Sequence, residues 1–193
     1  IVCVILMRRI VGIVSGKGGV GKTVTALNLG LALHYLDQNS MVVDADLNNP
    51  NVGLQLGLYS FPMTLNDALE RDVSILEALH IHPSGLRIIP ASISLLHLHT
   101  NPQKLQDLLN VLEGYVIVDC APGFGREVIS SLEVCDEVIV VTNPMFPSVV
   151  GAMRVIEVAK ELEKKIRGII LNKVGKFEIN PKEVEAITGV EVI

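Results

Sequence analysis

The chain has 193 residues, of which 49% are hydrophobic and only 4% aromatic, with no tryptophan and a formal net charge of −5. That length suits a single α/β domain with a sizeable core, and the acidic balance excludes a surface built as a whole for nucleic acid. Cys3, Cys120 and Cys135 stand far apart without a C-x-x-C, which argues against a disulfide framework or a spaced metal motif and for a reducing, cytoplasmic setting.

The chain opens on Ile1-Val2-Cys3-Val4-Ile5-Leu6-Met7, apolar but too short to span a bilayer. Arg8 and Arg9 follow this run, the wrong order for a secretory signal, so it reads either as an extra leader or as an extension of the first strand. Ile10-Val11-Gly12-Ile13-Val14 predicts a buried strand, and residues 24–36 an apolar-periodic helix. Between them lies Gly16-Lys17-Gly18-Gly19-Val20-Gly21-Lys22-Thr23, a G-x-x-x-x-G-K-[ST] match in the strand–loop–helix setting that gives the motif its meaning. Glycines let backbone N–H groups close around phosphates, and the first helical turn adds its unpaired donors. Lys22 is expected to reach the β- and γ-phosphates and the Thr23 hydroxyl to ligate Mg²⁺.

Met41-Val42-Val43 predicts a short buried strand ending at Asp44, followed by a Pro- and Asn-rich loop over residues 46–51. Thr64 and Asp67 form a capping signal for a helix through Glu70, and a second short helix is expected over residues 74–80. Leu86-Arg87-Ile88-Ile89-Pro90 reads as a strand, and Asn101-Pro102 as the start of a helix reaching about Leu112. Tyr115-Val116-Ile117-Val118 predicts a strand ending at Asp119, the acidic group that a P-loop needs beside its metal, and residues 120–125 a loop. Cys120 stands where many P-loop ATPases carry a glutamate base, so the attacking water must be positioned from elsewhere, with Asp44 and Asp46 the best source. Residues 137–141 predict a strand, 148–165 a long amphipathic helix, and 168–171 a strand closing on Asn172. Asn180-Pro181-Lys182-Glu183 is a capping box for a last helix stopped by Gly189, and residues 190–193 begin one more strand. Apolar runs alternating with helical segments predict a three-layer α/β fold: a mostly parallel sheet flanked by helices, as one P-loop NTPase domain over residues 1–193.

Lys17, five residues before Lys22, is not needed to cradle phosphate. With it, Lys17-Gly18-Gly19-Val20-Gly21-Lys22-Thr23 resembles the deviant Walker A motif of the MinD/ParA family of P-loop ATPases. Asp44-Ala45-Asp46 is similar to that family's switch I, and Asp119-Cys120-Ala121-Pro122-Gly123 to its switch II. Val141-Thr142-Asn143-Pro144 and Leu171-Asn172-Lys173 sit where the family has its adenine-side strand ends, and residues 64–91 are most similar to archaeal MinD-like proteins. The resemblance covers nearly the whole chain. It implies an ATP-dependent homodimer in which Lys17 crosses to the partner's phosphates, with Lys17, Lys22 and Asp46 catalytic and Asp46 orienting the water. Thr23, Asp44 and Asp119 would hold Mg²⁺, the two carboxylates through waters. Gly16 to Thr23 with Thr25 would hold the phosphates, and Asn172 would bond the adenine. An unidentified activating protein and a role in septum-site or related positioning follow by the same analogy.

The chain departs from the family in two respects. The family typically carries an amphipathic membrane-binding helix and base-pocket residues after its last strand; with nothing of either kind in the sequence after Ile193, the expectation is that membrane binding is unsupported and the adenine site incomplete. His80-x-His82 and His97-x-His99 read as solvated loop residues, not as metal ligands, since neither pair falls on a convincing strand. Lys160, Lys164, Lys165, Arg167, Lys173, Lys176 and Lys182 could make a DNA stripe. They are interleaved with Glu157, Glu161, Glu163 and Glu178, which reads better as a solvated helix face. Competing functions are a DNA-binding partition ATPase, a non-hydrolysing nucleotide-binding scaffold, and the family's small-molecule ligases and kinases. A related iron–sulfur carrier would require the absent C-x-x-C.

Overall fold

The computed structural model describes residues 8–71, 73–94, 101, 104–175 and 179–193. The apolar leader, Cys3, Pro102, the His97–His99 pair, Lys176 and Glu178 lie outside the described residues.

Seven strands form one sheet: β1 (Arg9–Val14), β2 (Ser40–Asp44), β3 (His80–Ile81), β4 (Arg87–Ile89), β5 (Tyr115–Asp119), β6 (Glu137–Thr142) and β7 (Lys165–Leu171), in the order β3-β4-β2-β5-β1-β6-β7. Every pairing is parallel except β3 with β4. Parallel strands need crossovers, and α1 (Lys22–Tyr35), α5 (Arg126–Glu133) and α6 (Phe146–Glu161) supply them, joined by the shorter α2 (Val52–Gln55), α3 (Leu65–Glu70) and α4 (Leu105–Asn110) and the terminal α7 (Pro181–Thr188).

Alternation along the strands divides the core in two. Ile10, Val14, Met41, Val43, Val116 and Val118 pack with α3 to α7 through Leu65, Leu109, Leu132, Ile156 and Val184. Val11, Ile13, Val42 and Ile117 face the other way, against Ala26 and Leu27 of α1. Buried on both faces, the central strands read as continuous Val/Ile runs, and burying each such side chain fully is worth about 1.5–3 kcal/mol. The result is the expected three-layer P-loop architecture.

Several elements differ from expectation. The loop predicted over residues 46–51 is formed and leads into α2, and α5 follows the loop at residues 120–125; the sequence reading named neither helix. His80 does lie on a strand, the two-residue β3, and its Nε2 is 2.9 Å from the Met63 carbonyl oxygen. The segment expected as a helix over residues 74–80 is a single 3-10 turn, Ile75–Ala78. Helix α6 stops at Glu161, where Glu163 takes a left-handed φ of 55°, so Lys165 and Arg167 belong to β7. Lys164 donates to the Glu133 carbonyl and Arg167 pairs with Glu137, which spreads the supposed basic stripe over separate elements. Residues 190–193 contribute only an isolated bridge, Ile169 to Val192. Both expected capping boxes, at Thr64 and Asn180, are formed. Among the described residues no helix is long and apolar enough to cross a membrane.

Candidate nucleotide-binding site

β1 lies centrally, between β5 and β6, and the register sets Ile13 and Asp44 each beside Asp119. The chain leaves β1 at Val14, enters the glycine loop and starts α1 at Lys22. Gly19 and Gly21 both adopt left-handed backbones, φ 75° and 105°, which a side chain would strain. That alternation turns successive N–H groups into an anion-binding concavity. Unlike α3 and α7, α1 has Gly21 as its N-cap, with no side-chain cap and no acidic residue in its first turn. Its positive end and its first donors are left to a ligand.

The loop's first glycine is placed by contact. A Cβ on Gly16 would collide with the Gly151 carbonyl and stand 2.6 Å from its Cα, so the loop rests directly on the backbone of α6. A glycine inside an otherwise good helix was the available signal for this contact.

Next to the loop lie the acids. The Lys22 ammonium is buried and donates to Asp119 Oδ1 at 2.7 Å. Asp119 Oδ2 is fully buried and has no partner among the described residues. Asp44 accepts three backbone N–H groups: Asp46 on Oδ1 at 3.2 Å, and Asn51 and Val52 on Oδ2 at 2.9 Å each. Burial, and then the neighbouring Asp119 charge, nevertheless push its carboxyl up to about 8. Asp46 is also raised by burial, offset in part by Lys22, and its Oδ1 accepts from the Asn49 N–H at 3.1 Å.

Lys22 and Asp46 border a cleft of about 630 Å³, within the usual range for small-ligand sites, whereas Asp44 and Asp119 are fully buried and outside its lining. Gly18, Gly19, Gly21, Lys22, Thr23, Asp46 and Asn172 line it, together with Lys173, which the sequence placed beside Asn172 at the adenine-side strand end, and with Asn49, Asn51 and Gln55, to which the sequence reading gave no individual role. Lys17 is exposed at the lip, outside the lining, while its carbonyl accepts from Ser15 Oγ at 2.9 Å. Thr25 is one turn along α1, its hydroxyl donating to the Gly21 carbonyl at 3.0 Å. Asn172 lines the cleft, but its Nδ2 donates to the Val20 carbonyl at 2.8 Å, so its amide is engaged with the loop. The Cys120 thiol is buried and turned to the Val118 carbonyl, 3.6 Å away, and so is no substitute for a glutamate base.

A family profile described as an AAA domain matches residues 8–172. The chain is 37% identical over 196 residues to an uncharacterized ATP-binding protein of Methanocaldococcus jannaschii, covering 98% of this chain and 74% of that one. Its fold superposes on the septum site-determining protein MinD of Pyrococcus horikoshii, solved with Mg-ADP, with a TM-score of 0.90 and 32% identity over 96% of this chain and 79% of that one. MinD in the MinC:MinD cell division complex of Aquifex aeolicus is similar at a TM-score of 0.81 and 26% identity, over 95% of this chain and 79% of that one. The glycine loop with its extra lysine, the paired acids at the strand ends and these likenesses agree: the chain belongs to the MinD/ParA family of P-loop ATPases.

Proposed function

We propose that this chain is a Mg²⁺-dependent ATPase that acts as an ATP-driven dimerisation switch, in cell-division or related spatial positioning. The observation that carries this reading is the division of labour between the two lysines. Lys22 is buried at the floor of the cleft, whereas Lys17 is exposed at its lip and does not line it. A lysine so placed is suited to the phosphates of a second copy, as a cation supplied in trans.

Thr23 lines the cleft, and Asp44 and Asp119, buried side by side at the strand ends, would hold a hard divalent cation through waters; one Asp119 oxygen lacks any partner among the described residues. Bound there, Mg²⁺ would neutralise charge on the β- and γ-phosphate oxygens. The chain's own residues do the rest. N–H groups of residues 18–23 bind the phosphates, and Lys22 exchanges Asp119 for a phosphate oxygen. Asp46, whose carboxyl is raised by burial, orients the attacking water by accepting its hydrogen bond. Asn172 and Thr25 are assigned to the adenine side and the first helical turn, where Asn172 must release the Val20 carbonyl to meet a base. A protein partner accords with the MinC:MinD complex of the Aquifex aeolicus relative, and activation by such a partner is part of the proposal.

The test measures Mg-ATP turnover, and solution mass by light scattering, for wild type, Lys17→Ala and Asp46→Ala. Asp46→Ala should accumulate an ATP-bound dimer with turnover reduced on the order of a hundredfold. Lys17→Ala should bind ATP, stay monomeric and lose turnover by roughly a thousandfold. Unchanged turnover in Lys17→Ala would overturn the trans-lysine mechanism.

A further inference from the structure

Two residues at the end of β7 hold two successive carbonyls of the glycine loop. Lys173 Nζ donates to the Gly19 carbonyl at 2.7 Å, and Asn172 Nδ2 donates to the Val20 carbonyl at 2.8 Å. Each peptide unit is a rigid plane in which the carbonyl of one residue and the N–H of the next point in opposite directions. A carbonyl of Gly19 held toward β7 therefore turns the Val20 N–H away from β7, into the concavity of the loop. The Val20 carbonyl fixes the Gly21 N–H in the same way. We infer that Lys173 is a positioning residue that sets the phosphate cradle, latching the loop in its anion-binding form before any nucleotide arrives.

Three further features support a built latch over a chance surface contact. Lys173 has a left-handed backbone, φ 56°, which a non-glycine residue holds only where its surroundings impose it. Its N–H donates to Asn172 Oδ1 at 2.9 Å, so one side chain braces both the turn and the loop. Asn172 is itself anchored, its N–H donating to the Thr142 carbonyl of β6 at 2.8 Å. Little space separates the parts: a Cβ on Gly21 would collide with the Asn172 amide. The loop's peptide planes are thus referred to the sheet through β7, in addition to the contact of Gly16 with α6.

The inference rests on the nucleotide-binding reading, and its test separates the two. The full chain is compared as wild type, Lys173→Met and Lys173→Arg; the side chain is exposed, so both variants should fold. Without nucleotide, the amide NMR signal of Val20 should shift, and exchange faster with solvent, in Lys173→Met alone, with that of Gly21, still fixed through Asn172, moving less. Binding of Mg-pyrophosphate, which has neither base nor ribose, should weaken about five- to tenfold in Lys173→Met, with most of the affinity restored in Lys173→Arg. An unchanged Val20 amide in Lys173→Met overturns the latch whatever the affinities. Loss of ATP affinity with pyrophosphate affinity intact also overturns it, and makes Lys173 a base contact. If wild type binds neither ATP nor pyrophosphate, the nucleotide reading fails while the amide signals still decide the latch.

Discussion

Asp44 accepts three backbone N–H groups, yet its carboxyl rises to about 8 from the ordinary 3.8, because burial and the Asp119 charge outweigh those bonds. An unfolded chain gives up this proton near 3.8, whereas the folded chain keeps it until about 8. Between those values the folded state holds more protons, so stability is fullest at the acid end and falls as pH rises through the window. Asp46, raised in the same direction, adds to the trend. Thermal melts in chelator should therefore show wild-type stability declining from about pH 5 to about pH 8. Asp44→Asn, which keeps an acceptor for Asn51 and Val52 but has nothing to ionise, should flatten that decline. A wild-type melting temperature that climbed across the same window would contradict the assignment.

Among the elements, α6 and the glycine loop meet through two glycines whose demands differ. Gly16 admits no Cβ, since one would enter the Gly151 backbone, whereas a Cβ on Gly151 would stand 3.3 Å from Gly16, tight but open to a small adjustment. Gly16→Ala should cost about 1–3 kcal/mol by overpacking and displace the loop, with nucleotide affinity lost. In Gly151→Ala a similar but smaller strain is opposed by the gain of about 1 kcal/mol from alanine inside a helix, so stability should stay near wild type. Denaturant melts of the two variants check this, and equal loss in both would refute the asymmetry. The same scale shows what could be read from the sequence. Buried strands and α1 announce themselves through unbroken apolar runs and periodicity, and α3 and α7 through capping boxes. Helix α2 does not, because its first N–H groups are held by Asp44, eight residues earlier at Val52. Helix α5 begins at Gly125 without a side-chain cap, leaving no punctuation to find. Helix α6 ends on a left-handed Glu163 where a glycine would normally mark the stop. The motif residues could be placed by spacing alone, but Lys173 reaches Gly19 from 154 positions away, and no local pattern reports such a contact.

For the molecule as a whole, the proposed ligand should act as a stabiliser by mass action. Mg-ATP at about a hundred times its dissociation constant adds about 2.7 kcal/mol, a rise of roughly 5–11 °C in melting temperature for a domain of this size. Chelating the metal should remove much of that rise if Thr23, Asp44 and Asp119 hold the cation, and identical melting with and without chelator would refute it. The pairing of Lys22 with Asp119 bears on the state that precedes binding. Lys22 and Asp119 hold one another at 2.7 Å, so a phosphate that takes Lys22 must first displace a carboxylate, and each binding event re-pairs the start of α1 and the end of β5.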